Sequence, residues 1–182
     1  MTIIAGIRHP TGVYMAADSA AAVGWTMVVR DDVKLRRNGH YLIGFTSSWR
    51  MGQLLHYALK PPEPPDDVRQ LHEFMCTTWV DAVRDCLKAG GWAKVENNQE
   101  QGGAFLVGVR GRLFIVHADY QVGEPADEFA AVGCGDDAAH GAMHATRGRP
   151  PRRRLMAAMA AAERFSNGVR GPFTYLSIRA GQ

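Results

Sequence analysis

Thr2 stands one residue behind the initiator methionine. Once Met1 is trimmed, the chain begins with an α-amine and a hydroxyl on the same residue. Such an amine titrates near ~8, so at neutral pH it can serve as the base for its own hydroxyl, an N-terminal nucleophile. A residue as small as threonine in second place makes removal of the methionine the expected fate. Asp18 follows at the end of a return strand, and Lys34 enters an apolar setting in Asp32-Val33-Lys34-Leu35. A cation beside a hydroxyl favours its ionisation, and a carboxylate beside the lysine keeps it charged.

Each residue has an ordinary structural reading when taken alone. Asp18 can be a turn acid, Lys34 a guard on an edge strand, and Thr2 a frayed terminus. Their joint spacing sets the chemical reading apart, because the elements around them are strands that would bring them to one place. The stretch 2–9 reads as a strand and 13–17 as its return, with Pro10-Thr11-Gly12 between them.

The run TIIAGIRHPTGVYMAADSAA, followed by VKLRR and YLIGF, resembles the N-terminal half of proteasome β subunits and of the bacterial HslV peptidase. In that family the mature chain starts with threonine, an acid lies sixteen residues on and a lysine thirty-two residues on. Thr2, Asp18 and Lys34 reproduce both intervals. The resemblance implies an N-terminal-nucleophile (Ntn) hydrolase and a role for Gly44 of Leu42-Ile43-Gly44-Phe45 as the backbone donor to the oxyanion, with one residue deleted in the hairpin before it. It places Cys134 where the family has a serine near the threonine amine. It places Ser166, with Asn167 beside it, where the family has an aspartate. Ala21, Ala22 and Asp32 match positions that pair with the substrate backbone or line the specificity pocket, and Asp32 would favour a basic side chain there.

The remaining elements must position this set. Trp25–Arg30 reads as a short strand after a loop of small residues, 19–24. Lys34–Arg37 and Tyr41–Thr46 flank an Asn38-Gly39 turn. Ser47 or Ser48 caps a helix carrying Trp49, Leu54, Leu55, Ala58 and Leu59. Pro61–Pro65 is a stiff connector, and Asp66 or Asp67 caps a longer helix to about Lys88, with Val68, Leu71, Met75, Trp79, Ala82 and Cys86 on one face. The polar stretch 92–103 reads as a loop. A second hairpin covers 104–117, a loop covers 119–128, and Phe129–Val132 is a strand. Asp136 or Asp137 caps a third helix, and 152–165 forms a fourth. Phe173–Ile178 is the last strand. Strands and helices in alternating blocks predict an α+β fold with two stacked sheets between helix layers. The resemblance implies the same four-layer αββα sandwich, as one domain spanning 1–182.

Composition excludes several classes. At 182 residues, 46% hydrophobic and 21% charged, the chain is ordinary for a globular domain. A net charge of +3, much of it in 147–154 without interleaved aromatics, does not point to nucleic acid. Three cysteines without paired spacing fit free thiols in a reducing compartment, hence the cytoplasm. No apolar stretch reaches the ~18 residues of a membrane span. His140 and His144 are spaced to share a metal but lack a third ligand, and there is no phosphate-binding P-loop; no cofactor or metal is expected. The resemblance implies threonine endopeptidase action on unfolded polypeptide by a homo-oligomeric ring, fed by a separate ATPase unfoldase. A catalytically inactive ring scaffold and an Ntn amidase acting on a small amide are the alternatives.

Overall fold

The computed structural model describes residues 2–24, 26–92 and 94–181. Met1, Trp25, Ala93 and Gln182, which the sequence reading used as leader, strand start, loop residue and terminus, lie outside the described residues.

The frame begins with β1 (Ile3–His9) and β2 (Gly12–Ala17), paired from Ile4↔Ala17 to His9↔Gly12. The strand β12 (Phe129–Gly133) adds to the far side of β1, and β13 (Thr174–Arg179) to the far side of β2, giving a four-stranded antiparallel sheet. The second sheet has five strands. At its centre are β6 (Tyr41–Phe45) and β9 (Phe105–Val109), with β5 (Leu35–Asn38) on one side and β10 (Arg112–Val116) and β11 (Val122–Gly123) on the other.

The central strands are apolar on both faces, the signature of strands covered on both sides. In β1, Ile3, Ala5 and Ile7 face the helices, while Ile4 faces the other sheet. In β6, Tyr41, Ile43 and Phe45 face the opposite helix layer and Leu42 faces inward. The sheets meet closely at glycine. A Cβ on Gly44 would sit 2.6 Å from Ile4 Cγ2, so no larger residue fits there without displacing the facing sheet.

Helices α4 (Asp136–Ala145) and α5 (Pro151–Phe165) cover the first sheet through Ala139, Met143, Leu155, Ala158, Met159 and Ala162. The second sheet is covered by α1 (Trp49–Gln53), which runs into a π-helical segment, Leu54–Ala58, and by α2 (Leu71–Phe74), a π-helical segment Met75–Trp79 and α3 (Val80–Ala89). The architecture is the expected α+β four-layer αββα sandwich.

Several local details differ from the sequence reading. The 19–24 stretch is β3 (Ala20–Val23), paired with β4 (Thr26–Val29) as a separate ribbon. The 92–103 stretch contains β7 (Lys94–Glu96) and β8 (Gln99–Gln101), joined by Asn97 and Asn98, both at positive φ as a primed turn requires. The turn between β5 and β6 is Gly39-His40, with Asn38 paired to Tyr41 and its side-chain amide donating to Leu55 O and Leu59 O. Asp67 closes a turn with Arg69 instead of capping a helix, and α2 starts only at Leu71. The buried face of α3 is Val83 and Leu87, one residue past the expected Ala82 and Cys86. The wider π turn before it accounts for the shift.

His56, in the first π segment, is buried beneath Phe45 and pairs its Nε2 with Ile43 O at 3.2 Å. Burial pushes its pKa down from 6.5 to about 4, against the opposing pull of the Ile43 carbonyl. The folded protein therefore holds this ring neutral where the unfolded chain protonates it. Its contribution to stability is whole above pH 6.5 and is lost as pH falls toward 4. At about 1.4 kcal/mol per pKa unit, the loss amounts to roughly 3 kcal/mol at most. Urea unfolding followed from pH 7 to pH 4 should show this decline, and His56→Gln should flatten it; an unaltered slope in the variant would rule out His56 as its source.

Candidate active site

Thr2 immediately precedes β1, and the strand's first residue ties it to the acid: Ile3 N–H donates to Asp18 Oδ1 at 3.1 Å. Asp18 ends the return strand one residue past β2. Its other oxygen accepts from Ala20 N–H at 3.1 Å and from Arg170 N–H at 3.4 Å. Lys34 sits one residue before β5, its carbonyl accepting from Phe45 N–H at 3.0 Å. From there its ammonium reaches across the gap between the sheets. Lys34 Nζ donates to Asp18 Oδ1 at 2.7 Å and to Thr2 Oγ1 at 2.8 Å.

All three groups are withdrawn from solvent, with Thr2 5%, Asp18 1% and Lys34 1% exposed. Burial pushes the Lys34 pKa below its ordinary value, and Asp18 opposes that by charge and hydrogen bond. The Trp49 ring adds a further electron-rich face, its centroid 5.5 Å from Nζ. The ammonium lies in contact with the Thr2 hydroxyl as well as with its carboxylate partner.

The nitrogen side of Thr2 has different chemistry. Thr2 N donates to Cys134 Sγ at 3.3 Å, and Cys134 N–H returns a bond to Thr2 O at 2.9 Å. Ser166, the residue after α5, places Oγ 3.2 Å from the same sulfur. Gly133, at φ +115°, lets the β12 end press against the Thr2 backbone, where any Cβ would collide with the Thr2 carbonyl.

In front of Thr2 lies a cleft of about 170 Å³ whose walls include Ala21, Ala22, Arg30, Lys34, Ser47 and Trp49. Ala21 and Ala22 are walls of this cleft. Asp32 does not line the cleft; both of its oxygens bind Arg30, at 2.6 and 2.7 Å. The Gly44 assignment needs correction too. Phe45 N–H faces β5, and successive amides alternate sides, so Gly44 N–H faces β9, where Gly44 pairs with Leu106. The ladder occupies it, and Gly44 is not a wall of the cleft.

The amide left over is that of Ser47. It donates to no group among the described residues. Ser47 is held at φ +64°, sparsely populated for a residue with a Cβ, while its hydroxyl accepts from Ala104 N–H at 3.1 Å. That anchor fixes the strained residue in the wall of the cleft that holds Thr2. The sequence reading saw Ser47 only as a helix cap. Arg30 was seen only as a strand end. His140, weighed as a metal ligand, accepts from Ala131 N–H and binds Asp136 O, so both ring nitrogens serve the fold.

No family model matches this chain, and no curated protein matches it. Solved structures do. The protein called BPH from Thiobacillus denitrificans superposes with a TM-score of 0.80 at 20% identity, over 98% of both chains. Its complex with epoxomicin gives 0.77 at 20% identity and the same coverage. The HslV of Trypanosoma brucei gives 0.67 at 19% identity, over 97% of this chain and 99% of that one. The chain therefore shares the αββα sandwich fold of these proteins along nearly its whole length. No helix among the described residues is long and apolar enough to cross a membrane.

Removing one member of a buried ion pair strands the other. Lys34→Ala should cost about 3–5 kcal/mol of stability, read as a fall in the denaturant midpoint. A midpoint unchanged in Lys34→Ala would place the stabilisation elsewhere.

Proposed function

We propose that this chain is a threonine peptidase, the proteolytic subunit of a self-compartmentalising ring. The observation that carries the reading is the buried contact of Lys34 Nζ with both Thr2 Oγ1 and Asp18 Oδ1. A stabilising ion pair needs only the carboxylate. An ammonium also directed at a hydroxyl lowers that hydroxyl's proton affinity.

After Met1 is removed, the Thr2 α-amine takes the hydroxyl proton, directly or through water, as Oγ1 attacks a peptide carbonyl. Lys34 stabilises the charge building on Oγ1, with Asp18 holding it in place. The Ser47 N–H supplies the oxyanion contact that the sequence reading gave to Gly44. The amine passes its proton to the leaving nitrogen, the C–N bond breaks, and an ester joins the acyl half to Thr2. Water then cleaves that ester and restores the hydroxyl.

The resemblance to HslV and proteasome β subunits supports a homo-oligomeric ring in the cytoplasm, taking unfolded polypeptide from a separate ATPase. Enclosure is physically sensible for a peptidase with an open cleft. A catalytically inactive ring subunit is the second reading. It is favoured by Cys134 and Ser166, neutral groups where the family carries a serine and an aspartate.

Intact-mass measurement before and after incubation with epoxomicin, the compound bound by BPH, separates the two. The peptidase reading expects a chain beginning at Thr2, gaining one inhibitor mass, with no gain in Thr2→Ala. It also expects Lys34→Ala to lower kcat on fluorogenic peptides by roughly 10²–10⁴. Retained Met1 with no adduct would leave the scaffold.

A further inference from the structure

The cleft in front of Thr2 carries a cation where the sequence led to the expectation of an acid. Arg30 is one of its walls and Asp32 is not. The two are paired through Arg30 Nε and Nη2, at 2.6 and 2.7 Å. A guanidinium has five N–H donors in a planar fork. Asp32 takes two of them, which leaves both hydrogens of Nη1 and the second of Nη2.

The fork is held firmly. Its carbon lies 4.2 Å from the Trp49 ring centroid, and Trp49 is itself a wall of the cleft. The Arg30 backbone N–H donates to Ser19 O at 3.0 Å, fastening the residue beside Asp18. Asp32 therefore acts as the back support that orients Arg30, and the remaining donors are available to a guest.

The other walls set the sign of that guest. Ala21 and Ala22 leave space and bring no charge. Among the described residues no carboxylate is a wall of the cleft: Asp18 is 1% exposed and committed to Lys34 and three backbone amides, and Asp32 is engaged by Arg30. A lysine or arginine side chain entering here would meet two cations whose own carboxylate partners are already engaged. A glutamate side chain would meet unused guanidinium donors, and a bidentate or forked carboxylate contact is the strongest this group makes.

We infer that Arg30 makes this cleft select peptides bearing an acidic side chain, glutamate above all, on the acyl side of the bond to be cut. The inference rests on Thr2 being the nucleophile, since that fixes which substrate residue occupies the cleft. Recognition by Arg30 itself can be read without turnover.

The test uses full-length Thr2→Ala protein and matched peptides differing only in Glu or Lys at that position, with affinities taken by isothermal titration. The Glu peptide should bind at least about tenfold tighter than the Lys peptide, a ratio that shrinks with added salt. Arg30→Met keeps an apolar stem against Trp49 and should erase the ratio; Arg30→Glu should invert it. Asp32→Asn frees more of the fork and should widen it. Equal binding of the two peptides, or a ratio indifferent to Arg30→Met, overturns the inference. Chain carrying native Thr2 is run alongside with epoxomicin. Adduct without charge preference sinks the Arg30 role alone, whereas charge preference without adduct sinks the nucleophile alone.

Discussion

An ammonium group inside an apolar sandwich is the constraint around which this molecule is arranged. Taking an isolated charge out of water costs several kcal/mol even after relaxation. Lys34 is tolerated only because Asp18, the Thr2 hydroxyl and the face of Trp49 surround it. Asp18 in turn is a buried carboxylate, and it is satisfied by backbone amides from three separate places: the start of β1, the start of β3 and the segment before β13. One carboxylate thus ties the N-terminal strand, the ribbon that walls the cleft and the returning C-terminal strand to the same point. The same contacts that make the charge affordable hold the hydroxyl still.

That arrangement needs two sheets at close range. Lys34 belongs to the second sheet's edge and Thr2 to the first sheet's centre, so their side chains meet only if the layers nearly touch. Small residues on the facing surfaces permit it: Gly44 opposes Ile4, and Gly6 opposes Leu113. The outer helices contribute indirectly. By burying Ile3 and Ala5 on one side and Ile43 and Phe45 on the other, they make both central strands immovable. Thr2 stands beside the end of the chain, the part most prone to fray. Here it is fixed from its first peptide group onward, through Ile3, Cys134 and the glycine that lets β12 lie against it.

The sequence made the triad legible because its members sit at strand ends, where chain spacing translates almost directly into space. Apolar residues on both faces of β1, β6 and β9 likewise declared the buried layers. What stayed hidden depended on contacts between distant segments or on turn geometry that propensity does not encode. Nothing near Arg30 in sequence tells that Asp32 will be spent on it and that Trp49 will flatten it into the cleft. Nothing in Gly44 tells which side of its strand the amide faces; that follows from the pairing of Phe45 with Lys34. Ser47 at positive φ is disfavoured by local rules, and its hydroxyl bond to Ala104, far along the chain, offsets the strain. The hairpin through Asn97-Asn98 was missed because its strands are short and polar, without alternation.

The nitrogen side of Thr2 is where this chain departs from the pattern that its N-terminal half resembles. A carboxylate near an amine raises the amine's pKa by favouring its charged form. Cys134 and Ser166 present a neutral thiol and hydroxyl instead. In a chain that begins at Thr2, neither group would give a charged amine the support that a carboxylate gives. Sulfur is also the weaker hydrogen-bond partner, so the amine is oriented less tightly than an oxygen would hold it. The oxygen side is not independent of it, since Cys134 is among the groups that act on the Lys34 charge, and Lys34 is what joins Asp18 to the Thr2 hydroxyl.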